Sequence, residues 1–107
     1  MMHARLRSCL AAFLALLGAL AHASMGLTEL PGVKGDGPVT VFYASDSPAA
    51  PVVRGPFNPS LALNGRAIAG NRRLIILSHG SGGAPWVHTN LAQALVDVGF
   101  VVALPEH

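Results

Sequence analysis

The apolar positions along this chain cluster into a few short runs. Val39 to Tyr43 (VTVFY) is β-branched and aromatic and predicts a strand. Leu74 to Ser78 (LIILS) is continuously aliphatic, the pattern of a strand buried on both faces of a parallel sheet. A helical period follows, with Val87, Leu91, Leu95 and Val98 on one stripe and Asn90, Gln93 and Asp97 away from it. Asn90 and Gln93 have the spacing of a capping box, while Pro85 would set an earlier start. Gly99 predicts the helix stop, and Phe100 to Leu104 (FVVAL) predicts a second buried strand. Strand, glycine loop, helix and strand make a βαβ unit, expected to cross over right-handed between parallel strands. The predicted class is therefore α/β.

The rest of the pattern is weaker. Ser24 to Pro38 is rich in glycine and turn formers and reads as a loose lead-in. Ala44 to Pro59 carries four of the eight prolines and reads as an irregular surface connection. Asn64-Gly65, set between alternating residues, predicts a hairpin.

The first 23 residues stand apart. Arg5 and Arg7 precede an uncharged Ala/Leu-rich run from Cys9 to Ala21, and Ala21-His22-Ala23 places small residues where a signal peptidase reads them. That layout predicts a secretory signal peptide over residues 1–23, cut between Ala23 and Ser24. The apolar run is too short for a bilayer of about 30 Å. Arg5 and Arg7 are not adjacent, which argues against a twin-arginine signal, and Cys9 precedes the apolar run, which argues against a lipid anchor. The expectation is a periplasmic or secreted domain over 24–107, without a stable membrane anchor.

Taking the signal away changes the charge balance. From Ser24 onward five basic residues (Lys34, Arg54, Arg66, Arg72, Arg73) meet five acidic ones (Glu29, Asp36, Asp46, Asp97, Glu106). No basic excess remains to recommend a nucleic-acid partner. The same stretch has no cysteine, so its stability rests on a packed core.

Chemistry concentrates at LSHGSGGAP, Leu77 to Pro85. Gly80, Gly82 and Gly83 leave the backbone amides open to close approach. Phosphate and the oxyanion of acyl transfer are the two ligands that favour such a loop between a strand and a helix. The phosphate motifs require a lysine or a Gly-x-Gly-x-x-Gly spacing that is absent here. Ser81 lies in Gly80-Ser81-Gly82, which lacks the Gly-x-Ser-x-Gly spacing of a nucleophile, so it reads as part of the loop. His79 reads as bracing the loop and Ser78 as structural. Trp86 would either wall a pocket or pack the loop against the sheet. His88, Glu106 and His107 match no zinc spacing, so neither a metal nor another cofactor is expected.

SHGSGG after a strand resembles the His-Gly loop of α/β-hydrolases. Together with LPGVKGDGPVTVFY, RGPF and the stretch from Leu74 to His107, it is similar to exported bacterial α/β-hydrolases of the dienelactone hydrolase type, which also resemble platelet-activating factor acetylhydrolases. The resemblance implies antiparallel lead-in strands followed by a mostly parallel sheet. It implies a serine esterase acting on small carboxylic esters or lactones. The backbone N–H of Ser81 would be one oxyanion-hole donor, supported by His79, Gly80, Gly82 and Gly83. No Gly-x-Ser-x-Gly occurs, and in that fold the triad runs Ser, Asp/Glu, His further along the chain. The sequence is thus expected to be the N-terminal portion of such an enzyme, inactive alone. A non-catalytic exported α/β module is the alternative.

Overall fold

The structure, a computed structural model, describes residues 23–78 and 83–106. Four strands carry its central register. Strand β1 (Ser24–Leu30) pairs antiparallel along its whole length with β2 (Val39–Ser45). Strand β2 pairs antiparallel with β6 (Val101–Pro105), and β6 pairs parallel with β5 (Leu74–Ile76). Two short strands, β3 (Ala50–Pro51) and β4 (Ser60–Leu63), lie beyond β1, giving the order β3-β4-β1-β2-β6-β5. Pairing of β4 with β1 is parallel. The sheet is mixed.

One row of residues crosses the sheet and founds the core. Leu27 faces Phe42, Phe42 faces Val102, and Val102 faces Ile75. Leu27, Phe42 and Val102 are fully buried. Helix α1 (Thr89–Asp97) covers this row, packing against β2 and β6 through Ala92 and Val96. Each large apolar side chain fully buried in such a layer stabilises the fold by about 1.5–3 kcal/mol.

Side chains alternate across a sheet, so the next row faces away from the helix. It runs Thr28, Val41, Ala103, Ile76, and Leu74 lies on the same side opposite Val101. No described helix packs on this side. Ile76 stays 63% and Leu74 60% exposed. The expectation of a strand buried on both faces at Leu74–Ser78 is therefore corrected: β5 is short, lies at the edge of the sheet, and is covered on one face only.

Four other readings change. The supposed loose lead-in contains β1, whose β-character comes from pairing with β2 and not from its own composition. Within the stretch read as irregular, β3 and β4 form a hairpin closed at Gly55-Pro56, where Arg54 and Phe57 exchange backbone hydrogen bonds of 2.8 and 2.9 Å. Gly55 has φ +56°, the positive value such a tight connection demands of its first central residue.

Asn64-Gly65 does make a turn, with the Gly65 N–H donating to Ala62 O at 3.0 Å. The chain does not fold back along β4. It crosses instead to the end of β2, where Ala67 bridges Ser45 and the Ile68 N–H donates to Ala44 O at 3.0 Å. The Tyr43 hydroxyl donates to Gly65 O at 2.6 Å and fixes that crossing, and burial pushes its pKa up.

The helix also differs in its ends and its face. A 3₁₀ turn, Pro85–His88, precedes it, and Gln93 bonds Asp97 Oδ1 at 2.8 Å instead of capping Asn90. Its buried line is Ala92–Val96, and Leu95 of the expected stripe is half-buried against the core, whereas Val87, Leu91 and Val98 are exposed. The small Ala92 lets the backbone sit close over β2 and β6, and that choice turns Leu91 outward. Gly99 ends the helix at φ +105°. Its N–H donates to Val96 O at 2.8 Å and that of Phe100 to Leu95 O at 3.0 Å, the paired bonds of a Schellman motif. Consequently β6 begins at Val101, one residue later than the apolar run.

Candidate functional site

The candidate site is built where the chain leaves β5. The Leu77 N–H donates to Ala103 O at 2.9 Å, extending the parallel ladder by one residue beyond Ile76. The glycine loop then spans from the carboxyl end of β5 to the start of α1. His79, Gly80, Ser81 and Gly82 lie outside the described residues, as does His107. Gly83, the remaining loop glycine, is exposed and leads into Ala84, whose backbone is extended at φ −135°, ψ 149°. Loops at the carboxyl ends of parallel strands, near the point where strand order reverses, are where α/β sheets place ligands.

The far end of the loop is fixed firmly. Pro85 is buried and opens the 3₁₀ turn, and the Val87 N–H donates back to Ala84 O at 3.2 Å. Thr89 Oγ1 donates to Trp86 O at 2.6 Å. The Trp86 ring stands edge-on to Phe42, with centroids 6.1 Å apart and planes at 84°. Such a T-shaped pair adds about 0.5–1.5 kcal/mol beyond the area it buries. Of the two roles open to Trp86, packing the loop against the sheet is therefore shown directly.

Trp86 has a second neighbour that the pattern did not indicate. The Arg54 guanidinium lies over its ring, 5.6 Å from the centroid, and Arg54 Nη2 reaches Glu29 Oε1 at 3.3 Å. Arg54 belongs to the tight hairpin, so this stack ties the β3–β4 hairpin to the exit of the glycine loop. Between them opens a cleft of about 280 Å³, walled by Phe57, Pro59, Trp86 and Val87. Asn58, Thr89 and Asn90 supply its polar side chains, all uncharged. The signal for this wall was Gly55-Pro56 in RGPF, a tight-turn dipeptide hidden among other prolines.

The opposite end of the sheet holds a denser polar cluster. Ser45 is fully buried, and its Oγ accepts the Ser47 N–H at 3.1 Å. Ser47 Oγ in turn accepts the Arg66 N–H at 2.9 Å. Asp46 and Arg66 form an exposed ion pair, with Arg66 Nε 3.1 Å from both carboxylate oxygens. The hydrogen bond from Arg66 holds the Asp46 carboxyl below its usual range, and the same contact raises Arg66. Every member is engaged in joining β1, β2 and residues 64–68, so this cluster is structural.

His88 closes the 3₁₀ turn, and Glu106 follows β6, its N–H donating to Pro38 O at 3.2 Å. Among the described residues no three His, Cys, Asp or Glu side chains converge as a metal site would require. Compared with protein-family models, with curated proteins and with solved structures, the chain matches none.

Proposed function

We propose that residues 24–107 are the front part of an exported serine hydrolase for small carboxylic esters or lactones, contributing an oxyanion-hole loop and not the catalytic triad. One observation carries the reading. The loop after β5 starts at the carboxyl end of a parallel edge strand and is clamped at its exit by Pro85, Trp86 and Thr89. In this reading an amide held between two such fixed points would keep its direction while charge develops on a substrate oxygen. Preorganised donors of this kind do not have to reorient in the transition state, and losing one costs on the order of 10²–10³ in rate.

In this reading the Ser81 N–H donates to the oxyanion, and the cleft beside Trp86 takes the uncharged acyl or alcohol part. The nucleophile would sit on a strand added at the open edge of β5. There its Oγ and the next residue's N–H would meet the same carbonyl as the Ser81 amide. The parallel β5–α1–β6 unit, the antiparallel β1–β2 pair and the place of β5 at the end of the described strand order are all compatible with that addition.

The test is the coding sequence beyond the codon for His107. An amphipathic helix followed by an aliphatic strand running into Gly-x-Ser-x-Gly is expected, and the product should react with a fluorophosphonate probe at that serine. Chain 24–107 alone should not turn over p-nitrophenyl esters. Turnover by that chain, abolished by Ser81→Ala, would instead make Ser81 a nucleophile and overturn the assignment.

A further inference from the structure

Helix α1 and the turns at its ends carry two apolar lines, and the core takes only one of them. Ala92 and Val96 are buried, while Val87, Leu91, Ala94 and Val98 form a second line along the adjoining face and stand exposed. Leu91 is 49% and Val98 68% exposed. Asn90, Gln93 and Asp97 follow on the far side of that line. The stripe is thus bounded by the core on one flank and by polar groups on the other. Such a helix face suits the boundary between water and an apolar phase.

Unpaired positive charge lies beside the stripe. The Asn71 N–H donates to Gly99 O at 3.0 Å and the Val101 N–H to Arg73 O at 3.0 Å, so Arg72 and Arg73 run past the end of α1. Leu74 faces away from α1, which puts Arg73, one residue earlier, on the helix side. Both arginines are exposed, and neither pairs with a carboxylate among the described residues. Arg72 stands at φ +61°, where glycine or asparagine would be less strained. Asp97, the acidic residue at this end of α1, accepts from Gln93 Nε2 at 2.8 Å, off the stripe. Ala23 lines one cavity with Asn71 and Val98, so the apolar run Cys9–Ala21 joins the fold at this same end.

We propose that the Val87–Leu91–Ala94–Val98 stripe, together with Arg72 and Arg73, is a docking surface for an anionic phospholipid bilayer. The stripe enters the boundary between headgroups and acyl chains, and the two guanidinium groups meet lipid phosphates. No described helix is long and apolar enough to cross a membrane, so the contact is peripheral and reversible. Arginine grips phosphate with two parallel hydrogen bonds, and each basic residue near an anionic surface strengthens binding about fivefold. The stripe and the arginines define this surface whichever way residues 1–23 are read, and independently of any hydrolase activity.

The test is flotation of chain Ser24–His107, which contains every described strand and helix, with vesicles of phosphatidylcholine alone or mixed with phosphatidylglycerol. Partitioning at least about tenfold stronger onto the mixed vesicles is expected at low salt, falling to the phosphatidylcholine level in high salt. Arg72→Gln and Arg73→Gln should each weaken it about fivefold. Lys34→Gln removes the same charge from the exposed β1–β2 connection and should leave it unchanged. Leu91→Gln should weaken it as well, with a thermal melt that matches the parent because Leu91 lies outside the core.

Equal partitioning onto the two kinds of vesicle would overturn the proposal. So would a loss from Lys34→Gln as large as that from Arg72→Gln, since net charge alone would then govern binding. A dimer that Leu91→Gln dissociates, without preference for the anionic vesicles, would make the stripe a contact between copies of the chain instead.

Discussion

Arg54 and Trp86 are joined face-on, the guanidinium carbon 5.6 Å from the centre of the indole, across the gap between a β-hairpin and the exit of the glycine loop. Trp86 is the sole tryptophan of the chain, so its fluorescence reports the surroundings of this one ring, the Arg54 stack and Phe42 among them. Arg54→Ala should shift the emission of Trp86 and destabilise the chain by about 1 kcal/mol, the combined size of a partly exposed cation–π contact and a surface ion pair. Glu29→Gln should leave the emission unchanged and cost less, because only the ion pair is lost. Identical spectra for Arg54→Ala and the parent chain would show that the stack does not order the loop.

Among the described residues no strand pairs with the outer edge of β5, whose Leu74 and Ile76 side chains stand exposed on the sheet face, and such an apolar edge strand recruits further strands. Chain 24–107 should therefore self-associate, and Ile76→Lys should raise the monomer fraction in size-exclusion chromatography. As Ile76 is largely exposed, the accompanying change in unfolding free energy should stay within about 0.5 kcal/mol. The edge at risk is β5 and not the Phe100–Leu104 run, because β6 is paired on both sides.

Gly99 combines a positive φ with crowding, since a Cβ there would lie 2.9 Å from the Asn71 nitrogen. Gly99→Ala should cost about 1–2 kcal/mol or more, a Tm lower by roughly 4–16 °C for a chain of this size. Thermal melts followed by circular dichroism would measure it. An unchanged Tm would mean that the helix does not end in the Schellman turn.

Acid should act through Asp46. Its carboxyl is held below the ordinary range by the Arg66 hydrogen bond, so the pair's contribution is fully present above about pH 4 and is lost as pH falls through the lowered value. Asp46→Asn should therefore flatten the fall in Tm between those two values and leave it steep elsewhere. Both side chains are exposed, so the effect should also shrink in high salt.

How much of this was legible in the sequence depended on whether a pattern was local. VTVFY, the aliphatic runs around residues 75 and 102, and the Gly99 stop carry their own signals, and each stands within a residue or two of its place. Strand β1 does not: Gly26, Thr28 and Glu29 weaken its pattern, and only the β2 partner makes it a strand. The helix face was legible only at Leu95, for a related reason. Leu91 and Val87 looked like the buried stripe, yet the small Ala92 allows closer approach to Phe42 and Val102, which no periodicity reveals. At the candidate site the glycines were conspicuous, whereas Arg54 was not. Its partners Glu29 and Trp86 lie far away in sequence, and only the hairpin turn brings them together.

The place of β6 between β2 and β5 has a consequence for how the chain assembles. As the polypeptide emerges from its N-terminus, β5 appears well before the strand that must hold it. The glycine loop and α1 have to follow first, an interval on the order of seconds at ordinary rates of synthesis. During that time the Leu74–Ile76 run has no neighbour on either side. Coiling of α1 shortens the span between the two strands, since a helix rises only about 1.5 Å per residue, and so eases closure of the intervening loop. Val101 to Leu104 then enters between strands that both preceded it. Among the described strands the sheet therefore fills from its interior, and β5 waits for a neighbour made later.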